Sequence, residues 1–449
     1  MERYAGVDWA SEKHDVLVQE ATGEHVLAAT FAHDERGLSA LCATLVRLGV
    51  VLVAIERPDG LLVERLLDAG LRVMAIHPNQ VAAARPRFRT SGGKSDGFDA
   101  FVLCELARTD SHRFRVLVAD GDDTKALRAL SRAREDLVQT RVQLANQLRA
   151  ELECFWPGAA LVFAEIDSPI GLAFLARYPA PGDARGLGEK RLAAFLARHA
   201  YCGRKQPTEL LAKLAGAPAG RAGDAEIEAR RAIVLALVAA LKPIVVKISE
   251  LTREIAHRVR CHPDGHVFLS LFRDPKSVVC AAALLAEIGD CRARYRNAEA
   301  LAADAGMSPV AVESGKRKVA CFRHGCDHRL RSAFATLADA TRHWHPWAAD
   351  RYATARSRGQ DHQRAIRTLG RAWCRVLWRC WQDNVAYDPA KHRGLQDHIA
   401  VTIPEGPSPR LDLKATQRMA GAAVTPKAGR RPQREALDGK PTTATHARG

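Results

Sequence analysis

Val50-Val51-Leu52-Val53-Ala54-Ile55-Glu56 is an unbroken apolar run closed by one carboxylate. Such a run is what a strand covered on both faces requires. Arg57-Pro58-Asp59-Gly60 then breaks it, so Glu56 falls at the strand's exit, where open α/β sheets place ligands. Upstream, Tyr4-Ala5-Gly6-Val7-Asp8-Trp9 reads as the first strand and carries a carboxylate near its end. Val16–Gln19 and His25–Thr30 read as two further strands across polar turns. Leu38, Leu41, Leu45 and Leu48 are spaced for one face of a helix over 37–48. Helix 61–69, strand 71–76 and a helix after Asn79 complete the segment.

A meander of three strands followed by alternating helix and strand is the order of the ribonuclease H-like fold, expected here over residues 1–115. Lys94-Ser95-Asp96-Gly97-Phe98-Asp99-Ala100 opens a further helical stretch to about Arg108. Its i, i+3 spacing puts Asp96 and Asp99 on one helix face. Four carboxylates, Asp8, Glu56, Asp96 and Asp99, are costly to crowd together unless a cation neutralises them. Two Mg²⁺ or Mn²⁺ ions ~4 Å apart do so and suit in-line phosphoryl transfer. Taken singly, an Asp at a helix start is as well read as a cap, and Asp8 or Glu56 as a solvated strand end.

Among 449 residues, 67 Lys and Arg stand against 51 Asp and Glu, a net charge of +16. That excess favours polyanions, and phosphate contacts supply the salt-sensitive part of nucleic-acid affinity. No run approaches the ~18 uninterrupted apolar residues of a spanning helix, and Met1-Glu2-Arg3 leads into a strand rather than a signal peptide. No membrane role is expected. Eleven cysteines form an odd set without a C-x-x-C pair. They fit reduced, buried thiols and a cytoplasmic location rather than disulfides or a zinc site.

Leucines recur at near-heptad spacing over 124–155, and Leu237, Leu241, Ile244, Ile248, Leu251, Ile255 and Val259 do so over 225–260. Both segments read as long amphipathic helices of a coiled-coil region, 116–260, that pair with each other or with another subunit. Pro243 is expected to interrupt the second. Residues 157–224 read as a helical insert, 261–390 as a mainly helical domain, and 391–449 as a basic, disordered tail. The expected class is therefore multidomain, α/β followed by α.

Within 261–390, Glu313-Ser314-Gly315-Lys316-Arg317-Lys318 stands out as a basic loop, followed by Arg323-His324-Gly325, Arg329 and Arg331. A Ser beside Gly in such a loop holds a phosphate through its hydroxyl and backbone N–H groups, or serves as a nucleophile. No His or Asp stands at a spacing that decides between the two.

Nearly end to end, the chain resembles the DEDD-type transposases of insertion-sequence family 110, relatives of the Piv DNA invertase. The matching pieces are Gly6-Val7-Asp8, Ile55-Glu56, Lys94–Ala100, Leu284-Leu285-Ala286-Glu287-Ile288-Gly289-Asp290, Ala305-Gly306-Met307-Ser308-Pro309, Ser314-Gly315-Lys316 and Arg323-His324-Gly325. The resemblance implies a RuvC-like domain whose acidic residues are Asp8, Glu56, Asp96 and Asp99, with Mg²⁺ or Mn²⁺. It implies a transposase domain whose catalytic serine is Ser314, with Lys316, Arg317, Lys318, Arg323, Arg329 and Arg331 on nucleic acid. It also implies a structured non-coding RNA from the element that selects donor and target DNA, and a homo-oligomer, dimer or tetramer, with each active site shared between subunits. Where relatives carry a Gly-x-Gly hairpin, this chain has Leu271-Phe272-Arg273-Asp274-Pro275-Lys276-Ser277, which removes an N–H and adds a negative charge at a phosphate grip. Two other readings remain at this point: a RuvC-like endonuclease on branched DNA, with Ser314 only holding phosphate, and an inactive nucleic-acid-binding remnant.

Overall fold

Strands form where the apolar pattern places them. β1 (Arg3–Trp9), β2 (Lys13–Glu20) and β3 (His25–Ala32) make an antiparallel meander. Then α1 (Glu35–Arg47), β4 (Val50–Ile55), α2 (Leu61–Asp68) and β5 (Val73–Ala75) alternate. β4 runs parallel to β1 and β5 parallel to β4, giving the mixed sheet β3-β2-β1-β4-β5. α3 (Pro78–Phe88) and α4 (Asp96–Asp110) follow. This computed structural model describes residues 1–89, 95–274, 277–314 and 317–392, without the side chains of Arg317 and Lys318. The expected tail, but for Lys391 and His392, lies outside the described residues, as do Lys94, Pro275, Lys276, Gly315 and Lys316.

Both faces of the sheet are covered, which is why β4 is apolar throughout. Ala5, Val7, Val53 and Ile55 pack with Leu38, Leu41 and Leu45 of α1 and with Leu62 and Leu66 of α2. Leu52 and Ala54 face Val102, Leu103 and Leu106 of α4 and Val81 of α3. Gly6 lets α4 lie directly on β1. A Cβ there would collide with the Ala100 carbonyl oxygen and the Cys104 amide nitrogen, both backbone atoms that cannot swing away. Gly6→Ala is therefore expected to destabilise the chain by about 1–3 kcal/mol or more, as overpacking does. A urea unfolding series checks this; a midpoint equal to the parent's would mean that α4 is free to lift off the sheet.

Two long helices come next, α5 (Asp122–Phe155) and, after the short α6 (Pro157–Val162), α7 (Pro169–Arg177), α8 (Glu189–Arg198) and α9 (Pro207–Ala215), α10 (Asp224–Cys261). They run antiparallel: Thr124 bonds His262, Arg134 bonds Thr252 and Arg230 bonds Glu151. Of the two pairings the heptads allow, the one seen is intramolecular. At ~1.5 Å per residue each helix is roughly 50 Å long. Pro243 lies inside α10 and does not end it. The insert closes an aromatic core of Trp156, Phe163, Phe174, Tyr178 and Phe195 against the C-terminal end of α5 and the first half of α10. By length and composition α10 is also apolar enough to cross a membrane, a property that the count of uninterrupted apolar residues overlooked because Lys242 and Lys247 divide the stretch. Here its Val234, Val238, Leu241 and Ile248 are buried against protein.

The remainder is mainly helical: α11 (Gly265–Leu269), α12 (Val278–Ile288), α13 (Ala298–Asp304), α14 (His328–Thr341), α15 (Pro346–Ser357) and α16 (His362–Asp383). Tyr295, Phe268, Phe334, Trp373 and Trp381 fill its core together with Leu127 of α5 and Ile255 and Val259 of α10. Between α13 and α14 the segment expected as a basic loop is instead a β-hairpin, β6 (Val310–Ser314) and β7 (Arg317–Cys321). Its signal was present: Val310-Ala311-Val312 and Val319-Ala320-Cys321 flank Ser314–Lys318 as β-formers flank a turn. All eleven cysteines are free. Cys104 and Cys374 are buried, whereas Cys154, Cys202, Cys261 and Cys321 are exposed, so burial describes only part of the set. Cys154 and Cys261 stand near the ends of long helices that bury a single stripe, and a cysteine off that stripe meets solvent.

Candidate active site

Strand register brings the first two carboxylates together. Val7 pairs with Ile55 across the parallel β1–β4 ladder, so Asp8 and Glu56, one residue further on, leave the carboxyl ends of neighbouring strands. Alternation along each strand puts Asp8 on the same face as Gly6, and Glu56 on the same face as Leu52 and Ala54, the face that α4 covers. Asp99 arrives on α4 from above. Its neighbour Ala100 rests on Gly6, and its own side chain is 3% exposed. Ser95 caps α4 by accepting from the Phe98 N–H, so neither Asp96 nor Asp99 is consumed as the cap. Asp96, one turn before Ala100, is open to solvent, with the Lys13 ammonium 3.9 Å away.

A cation that the sequence reading missed stands among them. Arg85 of α3 donates from Nε and Nη2 to the two Asp99 carboxylate oxygens at 2.6 and 2.9 Å, and its Nη2 lies 3.9 Å from Glu56 Oε1. Arg57, next to Glu56, lies over the ring of Trp9, next to Asp8, at 4.2 Å. Nothing in the sequence singled Arg85 out from Arg87 and Arg89 in the same stretch. As a donor set, carboxylates fit Mg²⁺ or Mn²⁺. As geometry, no group of three or more His, Cys, Asp or Glu among the described residues stands close enough to hold a metal ion. In this arrangement Arg85 supplies the positive charge.

Ser314 closes β6, with all five residues of that strand exposed, and pairs in register with Arg317. Lys316 and the side chains of Arg317 and Lys318 lie outside the described residues. The other expected phosphate contacts divide. Arg323 donates to the Ser308 carbonyl at 3.1 Å, and Arg331 stacks over Phe322 at 4.6 Å. Arg329 is engaged with Glu135 at 3.0 Å and Asp136 at 2.8 Å on α5, where it braces α14 rather than facing outward.

The Leu284–Asp290 segment also serves the frame. Buried Glu287 takes two hydrogen bonds from Arg132, 3.0 and 2.8 Å, and Arg132 reaches Asp59 beyond β4 at 3.3 Å. Asp290 accepts from the Gly121 N–H and the Thr124 hydroxyl at the start of α5. At the altered hairpin, the Ser277 N–H donates to the Asp274 carbonyl at 2.9 Å, while Pro275 and Lys276 lie outside the described residues.

Comparison with known proteins places this geometry in a family. A family model described as a transposase, DEDD type of IS110, matches residues 5–157, and one described as the transposase IS116/IS110/IS902 family matches 277–353. The mini-circle putative transposase for IS117 of Streptomyces coelicolor is 32% identical over 396 residues, covering 86% of this chain and 95% of that protein. The uncharacterized 42 kDa protein of insertion element IS900 of Mycobacterium paratuberculosis is 28% identical over 394 residues, 86% of this chain and 97% of that protein. A shorter match, 35% over 206 residues, joins it to putative transposase y4uE of Sinorhizobium fredii, over 44% of this chain and 56% of that one. The chain belongs to the IS110/IS116/IS900 family of transposases, enzymes of DNA transposition.

Proposed function

We propose that the chain breaks and rejoins DNA through Ser314, with the acidic site at the sheet edge assisting and an element-encoded structured RNA choosing the DNA. One observation carries the serine reading: Ser314 sits exposed at the end of a projecting hairpin rather than packed in a core. In the step proposed, Ser314 Oγ attacks a phosphorus and gives its proton to a carboxylate of the acidic site. The new Oγ–P bond replaces the P–O bond to one strand, whose oxygen takes that proton from the carboxylate and leaves as a hydroxyl. Attack by another strand's hydroxyl on the phosphoserine reverses the exchange, so the number of phosphodiesters is conserved. Asp8, Glu56, Asp96 and Asp99 would hold Mg²⁺ or Mn²⁺ once Arg85 has moved off Asp99, and the ion would then polarise the phosphate and steady the departing oxygen. Lys316, Arg317, Lys318, Arg323 and Arg331 would hold the DNA backbone. A ribonuclease H-like, RuvC-like domain over 1–115, a coiled-coil region to 260 and a transposase domain over 261–390 fit the sheet order and the helical remainder. RNA guidance rests on the resemblance and on the surplus of positive charge.

A second copy is proposed as the partner that completes each site. The outer face of α10 leaves Ile233 and Val246 exposed at 42% and 53%, with Ala232, Ala236, Ala239 and Ala240 also exposed, an apolar face suited to a neighbouring helix.

The deciding experiment mixes protein, element-end DNA and the flanking non-coding RNA and resolves the products on a denaturing gel. A protein–DNA adduct is expected from the parent and none from Ser314→Ala. Nicked DNA that survives Ser314→Ala, with no adduct at any time, would instead establish hydrolysis by a RuvC-like endonuclease.

A further inference from the structure

Directly after β7 stands Phe322, a residue 41% exposed. Two guanidinium groups lie over that ring, Arg331 from α14 at 4.6 Å and Arg367 from α16 at 4.9 Å. His324 meets its edge at 4.8 Å. Arg331 is further held by donating to the Arg323 carbonyl, and Gly306, at a φ of +63°, leaves the space that its guanidinium occupies. Burial weakens the hold of Arg367 on its proton; Asp361 opposes this, and the neighbouring charges of Arg331 and Arg364 add to it more weakly. Asp327, the other acid of this corner, spends its carboxylate on the N–H groups of Arg329 and Leu330 at the start of α14. Two cations gathered on one exposed ring repel each other and are stabilised by an anion between or beside them.

We propose that Arg367, Phe322 and Arg331 form a clamp for a DNA backbone phosphate, a site separate from the phosphate that Ser314 attacks. The ring fixes the planes of two forked donors that flexible side chains would otherwise have to order on binding. Position gives the clamp its role. Phe322 lies five residues along the strand direction from Arg317, the register partner of Ser314, about 17 Å at the rise of a β-strand. Duplex DNA advances about 3.4 Å per nucleotide along each strand. The clamped phosphate thus falls about five steps from the one under attack, and Arg367 and Phe322 are positioning residues for the strand that runs along the hairpin. This rests on the proposed serine chemistry only for the identity of the attacked phosphate.

The test uses full-length protein in the Ser314→Ala background, so that binding is read without cleavage. Its affinity for element-end duplex is measured by fluorescence anisotropy across a salt series, with and without Arg367→Gln. Losing one phosphate contact is expected to weaken binding about fivefold near physiological salt and to reduce the log–log salt slope by about 0.9. Arg367→Lys keeps the charge and should keep most of the slope; Phe322→Leu keeps both charges and should lower affinity with the slope unchanged. A walk of neutral methylphosphonates along the DNA should show one position, about five steps from the adduct phosphate, that harms the parent and no longer matters in Arg367→Gln. An unchanged slope in a variant that melts like the parent would overturn the clamp, as would a slope change seen with the RNA and not with DNA. The two readings fail separately. Without the serine mechanism no adduct forms yet the slope still falls; without the clamp the adduct forms and the slope stays.

Discussion

Asp8→Asn and Ser314→Ala proteins, each without strand exchange alone, are expected to regain it when mixed. Asp8 lies on β1 and Ser314 at the end of β6, and the two long antiparallel helices stand between them in the chain. Roughly 50 Å of paired helix is a means of carrying one half of a site toward a neighbour. In a symmetric dimer whose sites each take acid from one chain and serine from the other, a mixed dimer has one intact site and one doubly defective. With random assortment at equal amounts, about a quarter of all sites are whole. Activity should therefore peak near an equal ratio and vanish at both ends of a titration at fixed total protein. No recovery at any ratio, with mixed oligomers shown by differential tagging, would place both halves in one subunit.

Arg85→Met is expected to cost about 3 kcal/mol of stability, because it strands the Asp99 carboxylate in the protein interior without its partner. Asp99 is 3% exposed and takes both hydrogen bonds of the Arg85 fork. Two further measurements separate this ion pair from mere packing. Arg85→Met/Asp99→Leu should recover most of the loss, since replacing both charges leaves nothing unpaired. Adding Mn²⁺ or Mg²⁺ should raise the melting temperature of Arg85→Met more than that of the parent, because the ion then fills the role the guanidinium held. Equal stability of Arg85→Met and parent would mean that Asp99 finds its counter-charge elsewhere. A shift with metal in the parent as large as in the variant would mean that Arg85 does not compete for the site.

How far the sequence could be read follows the range of the forces involved. The sheet was legible because strand patterning is local: the three-strand meander, the apolar run 50–55 and the strand expected over 71–76 are five strands in the chain order that the structure shows. The heptads of α5 and α10 were legible for the same reason, although only packing shows that the two helices face each other. The adjacency of Asp8 and Glu56 comes from the parallel β1–β4 register, since nothing local in the sequence says which strands pair. Arg85 was not legible, because nothing in the spacing from residue 85 to residue 99 says that α3 will lay an arginine against the acidic start of α4. Arg329 misled in the opposite sense. It stands in a basic segment, but Glu135 and Asp136, almost two hundred residues earlier in the chain, claim it. Ser314 was singled out by motif while its hairpin went unread, because Gly315 and the lysines around it suggested loop more strongly than the flanking valines suggested strand.

The hairpin that bears Ser314 has a consequence for fidelity. Its β6 residues are all exposed, Val312 at 49%, and so is Val319 of β7 at 39%, and a two-stranded hairpin by itself is barely stable in water. If Ser314 is the nucleophile, as proposed, holding it in shape would draw on the free energy of docking. A poor DNA sequence, which offers little, would then leave the serine badly ordered and slow, whereas a full complement of contacts would set it. Discrimination of that kind acts on the rate of the chemical step as well as on occupancy, so a stray site can be visited often and still be cut rarely.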